Sequence, residues 1–267
     1  MLNNITMGQY YPVDSPVHRL DPRIKLILTI VFIVAVFMVH TVWGYALIFA
    51  FVWMVARLAR IPFKMLLKGL RPLRMILVFT FVLNLFFTEG SRVLLEFWRI
   101  RITLEALRQA VFYSLRLVFL VIGTSVLTLT TSPVSLSDAL EILLSPLKKI
   151  RFPAHELAMM MTIALRFIPT LLEETDKIKK AQMARGADFE SGNLISRAKA
   201  MVPLLVPLFV SAFRRAGDLA MAMESRCYHG GEGRTRLRVL KQTRNDWIAC
   251  GVMALLLALI ILEGIFL

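Results

Sequence analysis

The chain has 267 residues, 57% of them hydrophobic, and its mean hydropathy of +0.67 lies far above that of a soluble domain. It carries 32 Lys and Arg against 18 Asp and Glu, a formal charge of +14; in so apolar a chain this excess marks cytoplasmic loops that follow the positive-inside bias, not nucleic-acid binding. The two cysteines, Cys227 and Cys250, supply neither a disulfide framework nor zinc-finger spacing.

Residues 1 to 23 are polar and rich in proline around Asp14-Ser15-Pro16-Val17-His18-Arg19-Leu20-Asp21-Pro22-Arg23, which opposes helix until the first apolar run begins. No small-residue cleavage site follows that run, so it reads as an uncleaved anchor. The run itself, Leu26 to Ala56, exceeds the roughly 20 residues that one span needs. Arg19, Arg23 and Lys25 precede it, and Arg57, Arg60, Lys64, Lys68, Arg71 and Arg74 follow it. Both clusters favour the cytoplasm, so an even number of crossings lies between them: two short helices turning near His40 to Tyr45. Met75 to Thr88 is the third span, short unless it borrows from the basic segment before it. A loop of mixed charge from Glu89 to Arg108 reads as external. Ala110 to Thr131 is the fourth span, and Asp246 to Leu267 is the last, entered after Arg234, Arg236, Arg238, Lys241 and Arg244. The expectation is an all-α, polytopic membrane protein of about five spans, with the N-terminus inside and the C-terminus outside. A membrane part over 1–131 precedes a cytoplasmic domain over 132–245 and a final transmembrane helix over 246–267.

Three helices are predicted in the cytoplasmic domain. Leu136 to Leu147 has Ser135 or Ser137 as its cap. Ala154 to Arg185 repeats Leu157, Met160, Met161, Ala164, Phe167, Ile168 and Leu171 at helical spacing, with a kink expected at Pro169. The third runs from Met201 to Arg226. The second helix ends in Ala184-Arg185-Gly186 and the third in Ser225-Arg226-Cys227. A cation at a helix C-terminus is favoured by the dipole in any case. Small flanking residues add something further, because they let a planar guanidinium and the backbone approach another surface closely. The two tips therefore read as paired handles for a soluble partner. Gly186 suits a left-handed cap. After Arg226 two geometries are open, a left-handed Cys227 or a helix running on to the stop at Gly230-Gly231, and the nearby glycines favour the second.

Other chemistry finds little support in the sequence. No phosphate-binding Gly-x-x-x-x-Gly-Lys-Ser/Thr loop occurs, so the chain is not expected to hydrolyse nucleotide by itself. His18, His40, His155 and His229 lack metal-site spacing, and Ser125 and Thr128 read as packing residues within a span. Arg116 is the clearly intramembrane charge, with functional and structural roles both open. The fourteen methionines, Met159 to Met161, Met221 and Met223 among them, read as adaptable packing or as a surface that accepts several partners.

His18-Arg19-Leu20-Asp21-Pro22-Arg23-Ile24-Lys25, Leu165-Arg166-Phe167-Ile168-Pro169 and the two Arg tips together resemble the transmembrane coupling (T) component of energy-coupling factor transporters, bacterial importers of vitamins and metal ions. The resemblance covers essentially the whole chain. It implies a non-catalytic subunit without a cofactor of its own, ATP being bound by partner subunits. The implied partners are two ATP-binding-cassette ATPases, docked through Ala184, Arg185, Gly186, Ser225, Arg226 and Cys227, and a separate substrate-binding membrane (S) subunit seated on the same helices. Ser225-Arg226-Cys227 departs from the Ala-Arg-Gly usual in that family. An autonomous secondary transporter or channel is the alternative; it would want midplane polar residues, and beyond Arg116 and Asn84 few are present.

Overall fold

The computed structural model describes residues 10–88, 93–97, 100–150, 152–187, 189, 193–230, 240 and 242–266. Among the described residues the chain is helical apart from one two-stranded hairpin, and it divides into two compact units, Gly8–Ala139 with Val239–Leu267, and Leu140–Arg238.

In the first unit the long apolar run is two helices, α1 (Pro22–Met38) and α2 (Val42–Leu58). Asp21 accepts the Arg23 N–H at 2.9 Å and Pro22 fills the first position of α1, where its missing N–H costs nothing. Thr41 caps α2 by accepting the Gly44 N–H at 3.3 Å. The third span is broken: α3 (Phe63–Leu70) and α4 (Arg74–Phe87) meet at 65°, so the basic segment is itself helical. The loop expected to be external holds strands β1 (Val93–Phe97) and β2 (Ile100–Thr103), antiparallel with Glu96 opposite Arg101. Helix α5 (Leu104–Thr130) starts earlier than Ala110, because Thr103 accepts the Ala106 N–H at 3.2 Å and sets the cap there. Helix α9 (Arg244–Phe266) is the last.

Phe32, Val36, Tyr45, Ile48, Phe119 and Leu256 represent the main core, formed by α1, α2, α5 and α9. A Cβ at Gly123 would lie 2.3 Å from the Phe32 ring, so glycine is what lets α5 and α1 approach. Arg116 donates to the Val39 carbonyl at 3.1 Å and lies over the rings of Phe37 and Tyr113. It meets the negative end of α1 and an aromatic face, a structural role that the sequence left open.

The conspicuous segment from His18 to Lys25 ties three helix ends together. Buried Asp246, near the start of α9, accepts the Asp21 N–H at 2.8 Å and the Thr243 N–H and hydroxyl at 2.6 and 2.9 Å. Arg23 forks onto Asp21 and reaches the Leu240 carbonyl. The buried Lys25 ammonium donates to the carbonyls of His18 and Thr130, at 3.1 and 2.9 Å. It meets the α5 C-terminus where free carbonyls need a donor.

Helix α6 (Pro133–Leu144) carries the chain towards the second unit. Its cap is Ser132, which accepts the Ser135 N–H at 3.2 Å, and not Ser135 or Ser137; Ser137 is buried within the helix. After a 3-10 turn at Ser145–Ile150 come α7 (Ala154–Ala184) and α8 (Leu194–Glu224). Helix α7 runs on through Pro169 without a break, and α8 begins at Leu194, well before the expected Met201, with Pro203 and Pro207 inside it. Among the described residues four helices could cross a membrane by length and composition, and α3 with α4 makes a fifth. The four include α7 and most of α8 as well as α5 and α9; α1 and α2, at 17 residues each, are shorter.

Candidate functional site

Helix α7 closes through three bonds: Arg185 N–H to the Gln182 carbonyl, Gly186 N–H to that of Met183 and Ala187 N–H to that of Gln182, each at 3.0 Å. Gly186 has φ 88° with no atom near an added Cβ, so the position requires glycine for its backbone and not for space. This is a Schellman cap: a left-handed residue lets the next amide reach back across the last turn.

The end of α8 repeats the pattern bond for bond. Arg226 N–H reaches Met223, Cys227 N–H reaches Glu224 and Tyr228 N–H reaches Met223, at 3.1, 2.9 and 3.1 Å. Cys227 takes φ 55°. The expectation that the helix would run on to Gly230 is therefore wrong. The bond from the Tyr228 amide back to Met223 turns the chain at Cys227, and a non-glycine residue bears the left-handed conformation at a cost of about 1 kcal/mol or more. Gly230 is also left-handed, φ 100°, but lies beyond the tip.

Each tip thus presents an Arg one residue before the turn. Ala184, Arg185, Gly186, Ser225, Arg226 and Cys227 are all exposed, and among the described residues neither guanidinium has a carboxylate partner. Among the described residues these are two cations at helix C-termini without a carboxylate partner, flanked by small residues, and a guanidinium so placed can pair with a carboxylate.

Contacts within the unit fix where the tips lie along the helices. Arg215 donates to Glu174 at 2.9 Å near the middle of the pair. His155, at the start of α7, meets Tyr228, just past α8, at 3.2 Å. As numbering falls along α7 it rises along α8, so the two helices are antiparallel and the Arg tips lie at opposite ends. At 1.5 Å per residue, the length of α7 separates them by about 45 Å.

Between the tips the helices are apolar and uncovered. Met201, Leu205, Phe209 and Phe213 follow one another at i,i+4 on α8, with Val202, Val206 and Val210 beside them; all are exposed, Phe213 at 75%. On α7, Met160, Met161 and Ile168 are exposed too, while its buried residues are Ala154 and Ala158, in the first turns. A stripe of this extent needs a partner or lipid to cover it. Two features escaped sequence reasoning, the contact of Tyr228 with His155 and the Arg215–Glu174 pair, and a third, the left-handed Cys227, was the less favoured of two geometries. Only the 3.6-residue apolar period of α8 could have signalled any part of this surface in advance. No cluster of His, Cys, Asp and Glu able to hold a metal occurs among the described residues.

Several long apolar helices make this a multi-pass helical membrane protein. A family profile described as CbiQ, cobalt transport protein, matches residues 14–237. A protein of Thermosediminibacter oceani is 57% identical over 256 residues, covering 95% of this chain and 96% of that protein. One of Clostridium kluyveri is 53% identical over 267 residues, covering 100% and 99%, and one of Bacillus subtilis is 52% identical over 246 residues, covering 92% and 93%. All three are named energy-coupling factor transporter transmembrane protein EcfT. The chain belongs to this family of transmembrane transporter components, and within the transporter it is a non-catalytic subunit.

Proposed function

We propose that the chain couples ATP hydrolysis by two partner ATPases to uptake through a separate substrate-binding membrane subunit, with vitamins or metal ions as the substrate class. The observation that carries this reading is the pair of matching Arg-bearing caps at opposite ends of two antiparallel helices. Each ATPase receives one tip, Ala184-Arg185-Gly186 or Ser225-Arg226-Cys227. ATP-driven closure draws the two sockets together, and helices fixed to the tips carry the movement along their length. The apolar stripe of α8 and the facing part of α7 seat the substrate subunit, which holds the selectivity. ATP stays with the partners, and this chain needs no cofactor of its own.

In this reading α1, α2, the α3–α4 pair, α5 and α9 cross the bacterial cell membrane, with the N-terminus inside and the C-terminus outside. Helices α7 and α8 lie on the cytoplasmic side, within a coupling domain over 132–245. Their length and apolarity also favour a second reading, in which they cross the membrane as further spans and the Arg tips do not hold the ATPases.

Co-purification separates the two. Arg185→Ala and Arg226→Ala are each expected to lower ATPase recovery, since a charge-assisted contact contributes about 1.5–3 kcal/mol, or roughly 10- to 100-fold in affinity. The double variant should lose coupled uptake while the membrane part stays folded. Full ATPase recovery and full uptake in the double variant would refute the coupling role.

A further inference from the structure

His155, in the first turn of α7, uses both ring nitrogens on side chains from other elements. Nδ1 lies 2.9 Å from Glu141 Oε1 on α6, and Nε2 lies 3.2 Å from the Tyr228 hydroxyl. An ionised carboxylate only accepts, so Nδ1 carries the hydrogen and donates to Glu141. Nε2 and the Tyr228 hydroxyl share the second bond, in which either group can be the donor. Both inner partners are mostly shielded, with His155 and Glu141 side chains 16% and 17% exposed, so water competes poorly for these bonds.

Tyr228 is also the residue whose amide closes the cap on Met223. It is held at two points, by its backbone in the tip and by its hydroxyl at the start of α7. The corresponding residue of the other tip is Ala187, whose methyl side chain has no hydrogen-bonding group. Among the described residues the two tips share a cap and differ in their bracing.

We infer that Glu141, His155 and Tyr228 are positioning residues that lock the Arg226 tip onto the start of α7, making it the rigid handle of the two. A load on Arg226 then passes directly to α7 and α6, whereas a load on Arg185 enters at the far end of α7. This rests on the proposed docking role of the tips, and it adds that the two ATPase contacts are mechanically unequal.

The test uses the full chain and its native Cys227 as a probe. With a nitroxide on Cys227 in a Cys250→Ser background, Tyr228→Phe and His155→Leu should increase label mobility. His155→Gln, which keeps a donor and an acceptor in one side chain, should restore it. In the unlabelled complex with ATPases and substrate subunit, Tyr228→Phe should lower uptake per ATP hydrolysed by about fivefold, the change in population that losing one ordinary hydrogen bond produces. ATPase recovery should hold, because Arg226 is intact. Unchanged mobility in both disruptive variants, or changed mobility with unchanged uptake per ATP, overturns the inference. Arg226→Ala serves as the control: if it leaves recovery and uptake intact, the docking role itself fails, and the mobility data still report whether the brace exists.

Discussion

Cys227 at φ 55° and Gly186 at φ 88° hold equivalent places in two caps with the same bonds, so exchanging their chemistry tests the caps directly. A side chain in the left-handed region costs about 1–2 kcal/mol, and glycine returns roughly half of that through its greater freedom in the unfolded chain. Cys227→Gly is therefore expected to stabilise the second tip by about 0.5–1 kcal/mol, and Gly186→Ala to weaken the first by a similar amount. Hydrogen exchange at the Tyr228 and Ala187 amides, which close the caps, reads both; slower exchange at Tyr228 in Cys227→Gly is the expected sign. At this scale the two arginines were legible because each stands between small residues at the end of an amphipathic run. The conformation of Cys227 was not, since Gly230 offered an equally good local stop and only the bond to Met223 decides between them. Nor was the brace, whose members are separated by 14 and 73 residues and show no local pattern.

Among the elements, the helix starts carry the most concentrated polar interactions. Asp246 is fully buried and accepts three hydrogen bonds, from the Asp21 amide and from Thr243. Asp246→Asn puts an NH2 where donors already point, and is expected to cost about 1.5–3 kcal/mol in thermal unfolding. Asp14→Asn breaks only the exposed pair with Arg19 and should leave the unfolding temperature where it is. The segment before α1 has its own pH dependence. Burial holds the His18 imidazole below its ordinary value of 6.5, with the Lys25 ammonium acting in the same direction and the Tyr11 carbonyl against it. A depressed folded pKa means that the neutral ring stabilises the fold above pH 6.5 and that this contribution is lost as pH falls through the folded value. Proteolysis of residues 10–21 should quicken on acidification below 6.5, and His18→Gln should flatten that response. Helix boundaries were legible where caps were simple, as at Asp21. They were missed where a Ser or Thr one turn earlier took the role, as at Thr103 and Ser132, and where prolines stood inside a continuing helix, as at Pro203 and Pro207.

For the molecule as a whole, the order of apolar helices followed from hydropathy, but the side of the membrane on which α7 and α8 lie does not follow from length and composition. Labelling in sealed cells addresses this. A cysteine placed at Ser91 should react with an impermeant reagent, and the native Cys227, exposed in the fold, should react only after lysis. Labelling of Cys227 in intact cells would reverse the proposed orientation. The difficulty has a physical source: α8 has no buried side chain among those described and exposes Met201, Leu205, Phe209 and Phe213 in a row, so a surface awaiting a partner has the composition of one awaiting lipid. Such a surface also sets the cellular fate of the subunit. If the row is covered as proposed, copies made in excess of their partners keep it exposed, which is what chaperones and quality-control proteases recognise. In that reading assembly removes it from view and stabilises the folded chain by mass action. The steady-state amount of the protein should therefore track the supply of its partners more closely than its own rate of synthesis, and deleting the partner genes should shorten its half-life.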